Sequence, residues 1–452
     1  MPFLTKQQIL EKYDLVLGFE IHVELNTPTK MFCACPADWF GKDPNTQTCP
    51  VCLGMPGALP VINQTALENT IKLAKALNCK INLSQQFDRK HYFYPDLPKG
   101  YQITQFYKPV GQHGYLEFVI NGKPKRFRIR RVHLEEDTGK LTHKFGKSLV
   151  DFNRSGVPLV EIVTEPDFTT PQEAKLFLKS LQVLVRTLKI SDADMEKGSM
   201  RLEPNISLKP KGSQKLPSYK VEVKNINSFN FAVKAIEYEI LRQGKLLEQG
   251  QTPAQETRGF DASTGKTVSQ RRKEVAQDYR YLPEPDLPPI EFTQQQIQEL
   301  TKDLPETPNK LYNKLINMQL DPKIAWLFVE NFELGSLFNK LLASNAHKEV
   351  NTTAQKLAKF IANKYTKYRF NTPQDVIAAF KKEYSTQSLD PETIQKTVKQ
   401  VLEENPKVVQ DYKNGKTQAL QFLIGRFMQK IRKKVDIKPV IEELKRQLDA
   451  IK

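Results

Sequence analysis

Four prolines fall within the seven residues Pro283-Glu-Pro-Asp-Leu-Pro-Pro289. Neither a helix interior nor a central strand tolerates this density, because proline fixes φ and lacks an amide hydrogen. We therefore place a domain boundary just after the run, near residue 292. Before it, short alternating apolar runs mix with a few helical ones, which is typical of an α+β domain. After it, apolar residues recur at helical spacing, and one such stripe, interpreted as core packing, consists of Leu420, Leu423, Ile424, Phe427, Met428 and Ile431.

The charge balance points to a polyanionic partner. The 452 residues include 68 Lys and Arg against 51 Asp and Glu, a net charge of +17. Residues 301–452 hold 27 basic and 17 acidic residues, an excess of 10. Nucleic acid is the first partner that such a field attracts. No apolar run approaches the ~18 residues that span a bilayer, and we find no signal or transit peptide, so we expect a cytoplasmic protein that binds no membrane.

Two runs alternate as strands do. Tyr13 to Leu25 places apolar residues on one face and Glu20, His22 and Glu24 on the other. Val157 to Glu165 is largely apolar but contains Glu161, which needs a counter-charge if it is buried. Downstream, Thr170-Pro-Gln-Glu173 carries the signals of a helix start, and the helix is expected to run towards Leu188.

Four of the five cysteines form two close pairs, Cys33-x-Cys35 and Cys49-x2-Cys52. This is the spacing of a zinc ribbon with four thiolate ligands, so the segment 33–52 is predicted to bind a structural Zn²⁺. The alternative is four unligated thiols. The fifth, Cys79, ends an amphipathic helix and is interpreted as a buried small hydrophobe.

Acidic residues on the alternating strands suggest a second metal. Glu20 and His22 project together, and Arg130-Arg-Val-His-Leu-Glu-Glu-Asp137 adds further ligands. Carboxylates with one imidazole suit Mg²⁺ or Mn²⁺. Each carboxylate taken singly is better interpreted as part of a solvated strand face, but together with Glu161 the group favours a metal site. Alternation pairs His133 with Glu135 and leaves Glu136 on the opposite side, unless the strand ends or bulges near Leu134.

A metal with carboxylates suggests phosphoryl transfer, yet the chain has no Walker loop. Gly259 to Thr267 imitates one but has five residues between its glycines where the motif has four, and Asp-Ala-Ser-Thr-Gly265 is better interpreted as a hairpin turn. Asp88 to Gln102 interleaves cations with aromatic residues. Such a segment can stack a base and neutralise phosphates.

The chain resembles the B subunits of the glutamyl/aspartyl-tRNA amidotransferases. The motifs that carry this resemblance are ordered along nearly all of the first 290 residues: Gly18 to Leu25, Cys49 to Pro60, Asp88 to Gln105, His133 to Lys140, Asn153 to Val163, Glu222 to Phe229, Gln255 to Arg258 and Asp278 to Asp286. Asn405 to Val409, Tyr412 to Lys416 and Gly425 to Met428 extend it to the C-terminal third. Two stretches depart from the family pattern: Met200-Arg-Leu-Glu-Pro-Asn205 keeps a carboxylate on an altered backbone, and Lys433 to Pro439 loses a glycine.

The resemblance implies a mixed-sheet catalytic cradle at 1–292, a helical domain at 293–402 and a small helical tRNA-binding tail at 403–452. It implies that ATP phosphorylates the side chain of glutamate or aspartate on a misacylated tRNA and that ammonia then forms the amide. The metal ligands it implies are Glu20, His22, Glu136 and Glu161, with Glu135 in reserve. The residues expected to bind nucleotide are Arg89, Lys90, Tyr94, Lys99 and Arg154.

The resemblance also implies partners. Nothing in the chain resembles a glutaminase, so ammonia is expected from an amidase A subunit, with a small C subunit around both, through a channel for which Lys90 and Lys99 are candidates. The residues expected to contact tRNA are Lys413, Lys416, Lys430, Arg432, Lys433 and Lys434. Two alternatives stay open: a zinc-stabilised RNA-binding module without catalysis, and a metal-dependent nuclease.

Overall fold

The computed structural model describes residues 5–272, 278–350, 352–384, 389–416, 418–431 and 435–450. The chain divides into two compact units, Met1–Glu330 and Asn331–Lys452. In the described ranges, no helix is both long and apolar enough to cross a membrane.

The strands all lie in the first unit. They are β1 (Tyr13–Glu24), β2 (Lys80–Ile81), β3 (Ser84–Gln85), β4 (Asp88–His91), β5 (Tyr101–Thr104), β6 (Gly111–Ile120), β7 (Lys123–Glu136), β8 (Lys140–Lys144), β9 (Lys147–Asp151), β10 (Pro158–Thr164), β11 (Met200–Pro210), β12 (Val221–Lys224), β13 (Glu256–Asp261), β14 (Lys266–Arg272), β15 (Leu282–Pro283) and β16 (Ile290–Glu291).

The first unit contains α1 (Lys6–Lys12), α2 (Gln64–Ala76), α3 (Pro171–Thr187), α4 (Phe229–Glu248), α5 (Gln294–Thr301), α6 (Pro308–Asn317) and α7 (Pro322–Glu330). The second contains α8 (Phe332–Ala343), α9 (Ala354–Tyr368), α10 (Pro373–Tyr384), α11 (Pro391–Glu404), α12 (Pro406–Lys413), α13 (Gln418–Ile431) and α14 (Ile437–Ala450), with a 3₁₀ turn at Ala346–Val350.

Twelve strands form one sheet in the order β14-β13-β12-β11-β1-β10-β7-β5-β4-β15, with β6 beside β7 and β2 beside β6. β12 and β13 pair in parallel and the other pairs are antiparallel. The sheet is therefore mixed. Together with the helical second unit, it confirms the predicted α+β class.

β1, near the centre of the sheet, follows the predicted alternation. β1 buries Leu17, Phe19 and Ile21 on one face. Phe19 packs edge-on against Phe168, and Phe168 packs against Phe177 of α3. The apolar face of β1 is thereby held against the helical layer, which leaves its polar side chains on the opposite face of the sheet.

Local signals in the sequence define the other elements near the site. Thr170 caps α3, because its hydroxyl accepts from the Glu173 amide while the Glu173 side chain accepts from the Thr170 amide, and Pro171 occupies the first turn. The stretch 261–265 joins β13 to β14 as the predicted hairpin turn, closed by a 2.8 Å hydrogen bond from Gly265 N to Asp261 O.

In the second unit, the predicted apolar stripe of α13 forms core. Leu423 and Phe427 are fully buried and cluster with Val398 and Leu444. The stripe thus packs helices together, as the sequence predicted. The division of the chain into three domains with boundaries near 292 and 402 stays a prediction.

Candidate active site

A cavity of about 820 Å³ opens on the polar face of the sheet. Its floor is formed by side chains of β1, β7, β10 and β11, and one wall by Lys90, Tyr92, Tyr279 and Tyr281. The lining is dense in carboxylates, cations and aromatic rings. Such a cavity suits a charged substrate rather than an apolar one.

Strand register assembles the first group of ligands. His22 of β1 lies opposite Glu161 of β10, which in turn lies opposite His133 of β7. The His22 Nε2 atom is 3.7 Å from a carboxylate oxygen of Glu161 and 3.7 Å from one of Glu135. One ligand atom from each of His22, Glu135 and Glu161 lies within 4.8 Å of the others. The sequence separations are large, so only the sheet brings these side chains together.

The electrostatics of this group favour charged side chains despite burial. Burial would lower the pKa of His22, but the Glu161 carboxylate and neighbouring acids outweigh it and raise that pKa to about 9. Burial would likewise raise the pKa of Glu161, yet the imidazoles of His133 and His22 hold it well below its usual range. Glu161 therefore remains a carboxylate at neutral pH, as a metal ligand must, whereas His22 would release its proton when its imidazole binds a metal.

The residues fit a hard divalent cation. The Nδ1 atoms of His22 and His133 are buried and have no hydrogen-bond partner among the described residues. Two carboxylates and an imidazole form the donor set that suits Mg²⁺ or Mn²⁺. The group His22, Glu135 and Glu161 is thus the stronger candidate for the metal site that the sequence predicted.

A second acidic group lines the same cavity. Glu20, Glu203 and Glu222 each place an oxygen within 4.8 Å of the others. Lys224 approaches Glu203 at 3.3 Å and Glu222 at 3.2 Å, so part of the negative charge is neutralised. Glu20 was predicted to bind the metal together with His22, but it belongs to this second acidic group instead. Sequence reasoning missed Glu203 and Glu222 as site residues, although Glu222 opens a motif that carried the family resemblance and Glu203 stands in a stretch that departs from the family pattern.

Glu136, the first-ranked candidate, lies on the opposite face of β7. The strand continues through Glu136, which pairs with Pro158, and no bulge occurs at Leu134. Alternation therefore turns Glu135 to the cavity. The Glu136 carboxylate is 2.5 Å from Lys99 Nζ and accepts a hydrogen bond from the Ile103 amide. The structure thus groups Glu135, the reserve candidate, with His22 and Glu161.

Of the five residues expected to bind nucleotide, Lys90 lines the cavity, with its ammonium 5.0 Å from the centre of the Tyr279 ring. Arg89 is committed to Glu284 through two hydrogen bonds. The remaining three do not line this cavity. Lys99 pairs with Glu136, and Tyr94 is exposed. Arg154 donates hydrogen bonds to the carbonyls of Thr138 and Gly139.

The four cysteines converge as the spacing predicted. One Sγ atom from each of Cys33, Cys35, Cys49 and Cys52 lies within 4.8 Å of the others, and none forms a disulfide. The hydrogen bond from Cys33 is the main cause that lowers the pKa of Cys52 to about 4. The ammonium of Lys30 is fully buried 3.7 Å from the Cys52 sulfur. Four sulfurs beside a buried cation suit a thiolate-bound Zn²⁺.

The expected tRNA contacts lie in the second unit. Lys413, Lys416 and Lys430 are exposed, the second paired with Asp411 and the third with Glu404. Arg432, Lys433 and Lys434 fall outside the described residues. These positions agree with a solvated basic surface.

Comparisons with known proteins cover nearly the whole chain. Residues 15–298 match the model of the GatB/GatE catalytic domain, and residues 340–448 match the GatB domain. The chain is similar to the B subunit of the aspartyl/glutamyl-tRNA(Asn/Gln) amidotransferase of Thermodesulfovibrio yellowstonii, at 42% identity over 95% of this chain and 98% of the relative. The corresponding protein of Persephonella marina is 41% identical over 96% of this chain and 99% of the relative.

Proposed function

Because the chain belongs to the family of the GatB/GatE catalytic domain and matches B subunits over nearly its full length, we propose that it is the B subunit of a tRNA-dependent amidotransferase. In this proposal it activates the side-chain carboxylate of glutamate or aspartate on a misacylated tRNA with ATP and amidates it with ammonia. Ammonia comes from an amidase A subunit, and a small C subunit completes the complex.

The cavity supports this reaction through its charges. His22, Glu135 and Glu161 would hold Mg²⁺, which supplies positive charge to phosphate oxygens when bound. Lys224 and Lys90 add positive charge on two sides of the cavity. Phosphoryl transfer needs positioning and charge neutralisation more than a protein nucleophile. The observation that carries the proposal is this three-residue group within a large polar cavity of a family member.

The other assignments complete the proposal. The four cysteines would hold a structural Zn²⁺ that ties the 33–52 segment together. The basic surface of the second unit, with Lys413, Lys416 and Lys430, would contact tRNA phosphates. The attraction between lysine and phosphate does not depend on the nucleotide sequence. Lys90, which lines the cavity, and Lys99, which pairs with Glu136, remain the candidates for the ammonia path.

The decisive experiment is ATP-dependent conversion of misacylated tRNA by this chain, co-expressed with a candidate amidase partner. Glu161→Gln should reduce conversion by about 10²-fold or more, since it removes one charge that stabilises the transition state, and tRNA affinity should stay nearly unchanged. Glu117→Gln is the matched control, because the Glu117 side chain is 36% exposed, pairs with Arg126 and does not line the cavity.

The same assay separates the alternatives. If a Glu20→Ala, His22→Ala double variant retains full conversion, the acidic groups have no catalytic role and the RNA-binding module is favoured. If labelled tRNA is cut when metal is added without ATP, the nuclease is favoured. Loss of conversion with intact tRNA binding supports the amidotransferase.

A further inference from the structure

Arg131 lies in the cavity without a carboxylate partner. It is half-buried on β7 and lines the cavity, and its Nε atom is buried with no hydrogen-bond partner among the described residues. Within those residues, no acidic oxygen comes within 4.0 Å of its guanidinium nitrogens, so Arg131 forms no ion pair. A guanidinium left unpaired in a protein cavity is costly, so an anionic ligand is the natural partner.

Most other cations around the cavity are committed. Arg201 pairs with Asp137 at 2.7 Å, and Arg130 pairs with Glu165 at 2.8 Å. Lys224 pairs with two glutamates, and Lys90 lies beside the Tyr92 and Tyr279 rings. Arg131 is therefore the arginine of the cavity whose hydrogen-bond donors remain available to a ligand, as far as the described chain extends.

Strand irregularity and ring packing hold Arg131 in place. The pairing of β10 with β7 shifts between Val163 and Thr164, so that Arg131 pairs with Val163 while Arg130 is the extra residue of the bulge. Bulges re-aim side chains next to active sites. The guanidinium carbon lies 5.5 Å from the centre of the Phe106 ring, which stacks on Tyr281 at 3.8 Å. A cation over an aromatic face is held in orientation while its edge donors stay open.

Register also fixes the distance from Arg131 to the acidic groups. Arg131, Val163 and Glu20 form one row across three strands, and His133, Glu161 and His22 form the next row. Rows on one face are separated by two residues, or about 6.7 Å. Val163, whose small apolar side chain also lines the cavity, lies between Arg131 and Glu20 in its row. The floor of the cavity thus offers room for an anion between the arginine and the carboxylates.

We propose that Arg131 is a catalytic residue that binds the phosphoryl group transferred from ATP; this inference rests on the proposed function. In the transfer, an oxygen of the substrate carboxylate forms a bond to the γ-phosphorus. The bond from that phosphorus to the bridging oxygen breaks, and its electron pair stays on ADP. Ammonia then attacks the acyl carbon, the phosphate leaves with its oxygen, and one ammonia proton goes to the phosphate. Arg131 neutralises charge on the equatorial phosphoryl oxygens in the first step.

The test measures binding of ADP, with and without aluminium fluoride as a mimic of the transferring phosphoryl group. It uses the chain co-expressed with its candidate amidase partner. Arg131→Gln should bind ADP within about twofold of the native complex and lose the added affinity that aluminium fluoride provides. Its kcat for conversion should fall by about 10³-fold or more, which is the range for an arginine that stabilises this charge. Arg131→Lys should restore only part of the rate, because an ammonium lacks the planar fork.

Arg128→Gln is the matched control, since Arg128 lies on the same strand, is exposed and pairs with Asp167. It should leave both measurements unchanged. If Arg131→Gln keeps the aluminium fluoride effect, or if it weakens ADP binding and thermal stability as much as the rate, the inference is wrong and Arg131 is structural. If the native complex neither binds ADP nor converts tRNA, the proposed function itself fails, and the inference fails with it.

Discussion

Two neighbouring glutamates allow a sharp test of the site. Glu135 and Glu136 are consecutive on β7 and equally buried, but they face opposite sides of the sheet. Glu135 lies with His22 and Glu161, whereas Glu136 pairs with Lys99. Replacing each in turn by glutamine removes one negative charge with almost no change in volume. We expect Glu135→Gln to impair catalysis and Glu136→Gln to impair stability.

The stability loss in Glu136→Gln follows from its ion pair. The side chains of Glu136 and Lys99 are 4% and 10% exposed, so the ammonium would be left buried without a counter-charge. Removing one partner of such a pair costs about 3–5 kcal/mol. Glutamine can still accept the hydrogen bond from the Ile103 amide, so the loss of stability should lie near the lower end of this range. For a unit of 330 residues, the unfolding entropy is about 0.7 kcal/mol/K, so about 3 kcal/mol lowers the melting temperature by about 4 °C.

Glu135→Gln should behave differently. Glu135 accepts a hydrogen bond from the Thr104 hydroxyl at 3.0 Å, which glutamine can retain. The change removes both repulsion from the Glu161 carboxylate and attraction to His133 and Lys90, and Glu161 remains as a counter-charge for both of these cations. We therefore expect the melting temperature to stay within about 1.5 °C, equivalent to about 1 kcal/mol, while the rate falls by about 10²-fold or more.

The assay is ATP-dependent conversion of misacylated tRNA with saturating ammonium chloride as the nitrogen donor, alongside thermal unfolding of each variant. Free ammonium bypasses any channel, so a role of Glu136 in ammonia transfer does not obscure the result. The reverse pattern, an active Glu135→Gln and an inactive but stable Glu136→Gln, would refute the assignment of faces on β7 and of the metal group built on it.

Three further results are expected. Cys52→Ser should abolish bound zinc in elemental analysis and make the 30–55 segment more sensitive to proteolysis; native protein that is purified free of zinc would contradict the occupied site. Burial raises the pKa of Cys79 to about 12, so in the folded protein this thiol should stay protonated and resist iodoacetamide up to about pH 10, as mass spectrometry would reveal; rapid labelling at pH 8 would count against its burial. Truncation after about Glu403 should weaken tRNA binding and flatten its salt dependence, which is ~0.7 to 0.9 log units per log unit of salt for each phosphate contact; an unchanged slope in a folded truncated protein would mean that the tail only packs.

The sequence by itself determined the features that depend on neighbouring residues. The alternation of β1 placed Glu20 and His22 on one polar face, the capping residues located the start of α3, and the spacing of the cysteines predicted their cluster. These signals are local, because they arise from the periods of two and 3.6 residues and from hydrogen bonds within a single turn. The ordered motifs also identified the family.

Only the tertiary structure decided which of these side chains meet. Arg89 and Lys99 carry the charges that a nucleotide site needs, but the fold pairs them with Glu284 and Glu136. Arg131 gave no signal beyond its charge until strand register placed it beside Phe106 and the acidic rows. An ion pair or a ligand set forms between residues far apart in the chain, and their meeting is fixed by the pairing of whole strands, which no local pattern encodes.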